Sequence, residues 1–193
     1  MIALIEQAAE VQRFLDDRHW RSCIIGGLAV MRWGEPRFTQ DVDVSLFTGF
    51  GNEAEFAAAL IERFEARIGD ALAFAVVNRV VLLRGSTGIP VDVALSGFPF
   101  EEDVIDRATD FAFVPGTSLR TVSAEDLVVL KAFANRDRDW IDIAGIATRQ
   151  RSLDWSATIQ RLAPLVELKG QPEILLHLER VRGQATSTAD DVR

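Results

Sequence analysis

The chain of 193 residues holds a single cysteine, Cys23, and only two lysines, Lys131 and Lys169. One cysteine permits neither an intrachain disulfide nor a cysteine-rich zinc site, and its apolar neighbours mark it as a buried thiol. No apolar run approaches the ~20 residues needed to span a bilayer. The N-terminus also lacks a basic segment followed by an apolar core and a small-residue cleavage site. These absences predict a soluble, cytoplasmic protein with no membrane partner. Positive charge is scarce too: 21 Lys+Arg against 29 Asp+Glu give a formal net charge of -8. That balance excludes a surface coated for sequence-independent nucleic-acid binding, whose affinity comes from neutralised phosphates, though not a local basic groove.

What is present is the composition of a folding chain. Hydrophobic residues at 48% and charged residues at 26% let burial offset the entropy of ordering. The length suits one domain, or a core with a helical appendage. Residues 1–17 place Ile2, Ile5, Ala9 and Leu15 at roughly helical intervals, which predicts an amphipathic helix. Residues 22–25 read as a buried strand, Gly26-Gly27 breaks it, and residues 28–33 have the composition of a short helix. A strand over 42–47 is followed by a helical pattern over 53–68, through Phe56, Leu60 and Phe64.

Three short β-rich runs follow, at 73–77, 80–84 and 89–95. Turn residues separate them, so the sheet is expected to be antiparallel or mixed rather than doubly wound. A helix is expected near 101–108, with extended pieces at 111–114 and 119–122. From Ser123 the chain reads as helical. Ser123-Ala124-Glu125-Asp126 has the form of a capping box ahead of 127–134, and further helices are expected over 140–149, 155–165 and 172–181. The expected fold is α+β, a mixed or antiparallel sheet flanked by helices. Its core takes residues 1–122, a helical C-terminal part residues 123–182, and an apolar-poor disordered tail residues 183–193.

In Asp41-Val42-Asp43-Val44 the carboxylates repeat at the period of a strand and leave by one face, with the valines on the other. Two like charges so close repel unless a cation sits between them, and hard divalent cations prefer carboxylate oxygens. Taken alone, Asp-x-Asp is equally an ordinary strand with a wet face. Upstream, Gly26-Gly27 stands where a strand meets a helix. Helix N-termini offer bare N–H groups to phosphate and glycine allows close approach, although a tight turn would need the same residues. Asp92 lies in the apolar run Ile89-Pro90-Val91-Asp92-Val93-Ala94-Leu95, where an unpaired carboxylate would be costly. If its strand neighbours that of Asp41 and Asp43, three carboxylates converge beside the glycine turn, as two-metal phosphoryl transfer requires.

The series Gly26-Gly27, then Arg37-Phe38-Thr39-Gln40-Asp41-Val42-Asp43-Val44, then Asp92 resembles the signature of the DNA polymerase β-like nucleotidyltransferase superfamily. Its Arg-x-Thr-x-Asp-x-Asp form resembles the minimal bacterial AbiEii-type group, which includes toxins of toxin–antitoxin systems. So does the later segment from Asp126 through Lys131 and Phe133 to Asp139 and Asp142. The likeness of the core runs over residues 22–95 and continues more weakly to Ile146. It implies that Gly26 and Gly27 hold the triphosphate of an NTP. It also implies that Asp41 and Asp43 bind Mg2+ or Mn2+, and that Asp92 completes the metal site and activates the acceptor. An acceptor hydroxyl on tRNA, a protein or a small molecule would receive the NMP, and a cognate antitoxin would be a partner.

Lys131 falls with Leu127, Leu130 and Ala134 on a mostly apolar helical stripe, so its ammonium must snorkel or find an anion. The resemblance implies nucleotide phosphate as that anion; the edge of a buried stripe is the alternative. Asp126 reads as a helix-start residue. Asp139 and Asp142 either orient Lys131 or Arg136 or stand solvated. Arg37 and Thr39 either touch phosphate or hold the loop before the acidic pair. Arg136, Arg138, Arg149 and Arg151 would suit RNA as a basic patch, but such charges also form solvated faces. His19 and His177 read as structural, and Trp20, Trp33, Trp140 and Trp155 as packing residues. The competing function is a catalytically silent protein of the same fold, acting as an antitoxin or protein-binding partner.

Overall fold

The computed structural model describes residues 1–190, with residues 186–190 described by their backbone alone. Two compact units emerge: residues 1–29 with 38–122, and residues 30–37 with 123–193.

The first unit is built on a seven-stranded mixed sheet. Helix α1 (Ile2–Asp16) precedes strand β1 (Ser22–Ile24), and α2 (Gly26–Trp33) starts in this unit. After them come β2 (Val42–Phe47), α3 (Glu53–Arg63), β3 (Glu65–Ala66), α4 (Ala71–Asn78), β4 (Val80–Arg84), β5 (Pro90–Ser96), α5 (Pro99–Asp106), β6 (Thr109–Val114) and β7 (Thr117–Thr121). The strand order is β3-β4-β5-β2-β1-β7-β6. β2 runs parallel to β5 and β1 parallel to β7, and the remaining pairs are antiparallel. Alternation decides which way each strand faces: Val42, Val44 and Leu46 of β2 and Val91, Val93 and Leu95 of β5 are buried, whereas Asp43 and Asp92 are half-buried on the opposite face. α1 buries Leu4, Ile5, Ala8, Val11 and Leu15, a stripe at helical spacing.

Two local readings of the sequence need correction. Residues 73–77, expected as a β run, form α4. The valines that suggested β structure, Val76 and Val77, are exposed, while Ala71 and Ala75 are buried one turn apart. Alanine is the strongest helix former, and the buried alanine stripe outweighs the valines. The second case is the helix expected over 53–68, which stops at Arg63. Phe64 is extended (φ -120°, ψ 151°) and buried, its ring set edge-on to Phe14 at 5.2 Å. Beyond it Glu65 and Ala66 pair with Arg84 and Leu83. A buried aromatic and a free sheet edge win over helical periodicity here.

The second unit is helical: α6 (Ala124–Ala134), α7 (Asp137–Arg149), α8 (Trp155–Lys169) and α9 (Glu173–Asp190), joined by residues 30–37. Ser123 caps α6, its Oγ accepting from the Asp126 backbone N–H at 3.1 Å. Leu127, Val128, Ala132, Ile143, Ile146, Leu162, Val166, Ile174 and Leu178 fill the interior. Segment 30–37 is stitched to α7 at several points: Gln150 Nε2 donates to the Trp33 carbonyl at 2.7 Å and Arg149 to that of Gly34. The tail expected from residue 183 is helical to Asp190 as part of α9; residues 191–193 lie outside the described residues. No helix among the described residues is long and apolar enough to cross a membrane.

Candidate active site

The acidic pair and Asp92 meet through strand register. β2 and β5 are parallel neighbours in which Asp43 stands directly opposite Asp92. Registered partners send their side chains to the same face. Asp41, just before β2, accepts a hydrogen bond from Thr39 Oγ1 at 2.9 Å. The glycines complete the arrangement. Gly26 has φ +61°, and a Cβ built on it would lie 1.8 Å from Asp43 Oδ2. A Cβ on Gly27 would lie 2.3 Å from Thr39 Oγ1. Both bare Cα atoms are therefore needed so that the start of α2 can lie against the acidic loop.

One residue of this site was not evident from sequence. Arg67 Nη2 donates to Asp92 Oδ1 in a short ion pair. The Arg67 backbone N–H bonds the Leu82 carbonyl at 3.0 Å, which continues the β3–β4 pairing by one residue, and Leu82 stands opposite Asp92 on β5. Arg67, Leu82, Asp92 and Asp43 thus form a row across the sheet, and the long arginine side chain reaches over one strand. Reading 53–68 as helix concealed this row. Burial pushes the Asp92 carboxyl above the ordinary aspartate value. Arg67 opposes the shift and the charge of Asp41 adds to it.

The sequence led us to expect the three carboxylates closed around a metal-sized space. Among the described residues, no group of three or more histidine, cysteine or acidic residues is arranged to hold a metal ion. Three carboxylates on one face suit a hard cation chemically, but as they stand Asp92 is turned to Arg67 and the set does not fit one.

The second unit holds the other expected residues. Lys131 is buried, with 7% of its side chain exposed, and its Nζ lies 2.9 Å from Asp139 Oδ1 and 2.7 Å from Asp142 Oδ2. Arg37 Nε and Nη2 donate to the two oxygens of Asp142 at 2.7 and 2.9 Å, and Arg136 forks onto Asp139. The result is a chain, Arg37–Asp142–Lys131–Asp139–Arg136, whose three middle members are buried and whose Arg136 end is exposed. Burial by itself would raise both aspartates. Hydrogen bonds from Arg136 and Lys131 outweigh it for Asp139, those from Arg37 and Lys131 for Asp142, and both carboxyls lie below the ordinary value. Asp126, besides its place at the start of α6, accepts from Arg161 at 3.0 Å. In the arginine group considered for RNA, Arg136 and Arg149 are occupied within the fold.

A mixed sheet carries registered carboxylates beside a glycine-led helix, and solved structures share this fold. The chain resembles an antigenic nucleotidyltransferase-like protein from Paracoccidioides brasiliensis at 18% identity and a TM-score of 0.52, over 91% of this chain and 92% of that one. Also similar is the lincosamide antibiotic adenylyltransferase LnuA in its lincomycin-bound form, at 10% identity and a TM-score of 0.49, over 73% of this chain and 94% of that one. No curated protein matches significantly. The family model for the nucleotidyl transferase AbiEii toxin of Type IV TA systems matches residues 24–186. The chain belongs to this AbiEii family and is a nucleotidyltransferase.

Close packing at the glycine turn has a measurable consequence. Gly26→Ala places a methyl group on the Asp43 carboxylate and forces an alanine into the left-handed region. That conformation costs about 1–2 kcal/mol, and displacing a site group by about 1 Å can cost ~10²-fold in rate. Thermal melting beside a transfer assay should show a modest loss of stability and a large loss of rate. An unchanged rate would mean that Gly26 does not set the position of Asp43.

Proposed function

We propose that this chain transfers a nucleoside monophosphate from an NTP to a hydroxyl acceptor, with Mg2+ or Mn2+, and acts as the toxin of a toxin–antitoxin pair whose cognate antitoxin is its partner. The observation that carries this reading is the register of Asp43 with Asp92 beside Gly26. Asp43 lies beside Gly26 at the first turn of α2 and opposite Asp92, and the backbone N–H groups of a helix's first turn favour phosphate, which supports this reading.

In this reading Gly26 and Gly27 let the triphosphate approach the backbone of α2, while Thr39 orients Asp41 for its part. The acceptor oxygen bonds to the α-phosphorus, the bond from that phosphorus to the α–β bridging oxygen breaks, and pyrophosphate leaves. The hydroxyl proton passes to Asp92, whose carboxyl is held above the ordinary aspartate value by burial. A bound divalent cation would supply charge neutralisation for the phosphates. Lys131 and Arg37 enter as members of the ion chain that orders the second unit, since two carboxylates already hold the Lys131 ammonium.

Three acceptor classes carry the required hydroxyl: the 3′ end of tRNA, a protein side chain, and a small molecule such as an aminoglycoside. Incubation with each α-labelled NTP and Mg2+ or Mn2+, against total tRNA, lysate protein and an aminoglycoside, should label one of them and lose that label with EDTA. Absence of both NTP binding and label transfer would sink the proposal, and transfer undiminished by EDTA would remove its metal.

A further inference from the structure

We propose that α4 and the phenyl pair Phe50–Phe98 form a docking surface for a basic, amphipathic polypeptide segment of a partner protein. Residues 71–77 of α4, Ala-Leu-Ala-Phe-Ala-Val-Val, carry no polar side chain. A helix that is apolar all round belongs in an interior. This one buries Ala71 and Ala75 and half-buries Phe74, but leaves Leu72, Val76 and Val77 exposed, Val77 at 80%. Single exposed apolar side chains are ordinary, whereas a contiguous set on a charged protein marks an interaction surface.

Arg79 makes the set contiguous. Leu72, Val76 and Arg79 stand at i, i+4 and i+7, which is one stripe of a helix. The Arg79 guanidinium lies 4.5 Å from the centre of the Phe50 ring, and Phe98 meets Phe50 edge-on at 5.1 Å. The two phenyl groups are 57% and 52% exposed. Their loops are pinned together: the Thr48 and Gly49 N–H groups donate to the Ser96 carbonyl at 2.9 and 3.2 Å, and Arg79 Nη2 donates to the Gly49 carbonyl at 2.8 Å. Rings held in place beforehand lose little freedom on binding.

Charge identifies the occupant. The acidic and basic residues of the helical unit balance, so the whole net charge of -8 falls on the sheet unit. Glu55 on α3, Asp70 at the start of α4 and Asp103 on α5, the helix that Phe98 caps, are exposed acids. Arg79 is already held by Glu53. A second copy would bring the same negative unit against this one, and an anionic bilayer would be repelled likewise, whereas a basic segment is attracted. Apolar side chains at helical spacing on that segment would cover α4, the usual way an amphipathic helix is recognised. Phe50 and Phe98 follow the ends of the parallel strands β2 and β5, while Asp43 and Asp92 lie near their starts. A segment seated on the phenyl pair therefore lies away from the carboxylates, and the inference depends on neither a metal nor an acceptor.

The test is fluorescence polarisation of a labelled synthetic peptide of lysine and leucine, with the leucines at helical spacing, titrated with the full-length protein. The peptide should bind. Changing both anchors, Phe50→Ser with Val77→Ser, should weaken binding by at least ~tenfold, as loss of central interface residues does, and leave transfer activity unchanged. Glutamate in place of the peptide's lysines, or serine in place of its leucines, should abolish binding. Absence of binding by the lysine–leucine peptide, equal binding by the serine peptide or unchanged affinity of the double variant overturns the inference.

A second measurement needs no variant. In wild-type protein the peptide should shift the amide resonances of residues 49–51, 72–79 and 97–98, and shifts confined to other residues refute the surface. A dimer in sedimentation equilibrium that Val77→Lys dissociates would give the surface to a second copy. Binding to phosphatidylcholine vesicles that Val77→Lys abolishes would give it to lipid, and either result overturns the inference.

Discussion

Asp43→Ala is expected to reduce nucleotidyl transfer by at least ~10²–10³-fold, the range seen when a group that stabilises transition-state charge is removed. Its melting temperature should barely change. Asp43 stands opposite Asp92 in strand register and against Gly26, so its loss removes the carboxylate packed on the glycine turn. The same substitution relieves like-charge repulsion from Asp41 and Asp92. The net effect on stability should therefore stay within about 1 kcal/mol. Single-turnover rates with labelled NTP, measured alongside thermal denaturation, separate the two effects. Undiminished turnover would remove Asp43 from the site, and a large loss of stability would mean that its role is structural.

Asp142→Ala should show the opposite profile. Asp142, with 3% of its side chain exposed, receives both Lys131 and Arg37. Removing it leaves a buried ammonium with one carboxylate and a guanidinium with neither of its two recorded bonds to Asp142. Breaking a buried ion pair by deleting one partner costs about 3–5 kcal/mol, which at this chain length lowers the melting temperature by roughly 10 °C. Adding Lys131→Met should recover part of the loss, because it removes the stranded charge. A melting temperature within a degree or two of wild type would show that the network contributes little. The pH dependence gives an independent check. Because the folded pKa values of Asp139 and Asp142 lie below the ordinary value, their contribution is present above about pH 4 and is lost as pH falls through those lowered values. The gap between wild type and Asp142→Ala should close over that acid range.

The two predictions divide the charged residues by what surrounds them. Asp41, Asp43 and Asp92 are half-buried on one face of the sheet, where removal affects chemistry more than folding. Lys131, Asp139 and Asp142 are buried together, where each charge depends on the others. Helical spacing alone put Lys131 on an apolar stripe and demanded an anion for it. Phosphate, the edge of the stripe, and orientation by Asp139 and Asp142 were all compatible with that demand, and the anions found are those two side chains one helix later.

What the amino-acid sequence determined by itself was whatever depends on short-range periodicity. Alternation at Asp41-Val42-Asp43-Val44 put two carboxylates on one strand face, and the capping pattern at Ser123 marked the start of α6. The glycine pair was legible as a close-approach turn, though what it approaches, the Asp43 carboxylate and the Thr39 hydroxyl, was not. The tertiary structure decided everything that depends on which strands become neighbours. Asp43 and Asp92 are 49 positions apart in the chain, and parallel pairing of β2 with β5 makes them opposite partners. Likewise the end of α3 at Arg63, set by the burial of Phe64 and by strand pairing at Glu65 and Ala66, brings Arg67 onto Asp92. Periodicity is a property of neighbours along the chain, whereas register is settled by cross-strand hydrogen bonds and by the burial of one whole face. The carboxylates were therefore visible in the sequence, and the arginine that holds one of them was visible only in the fold.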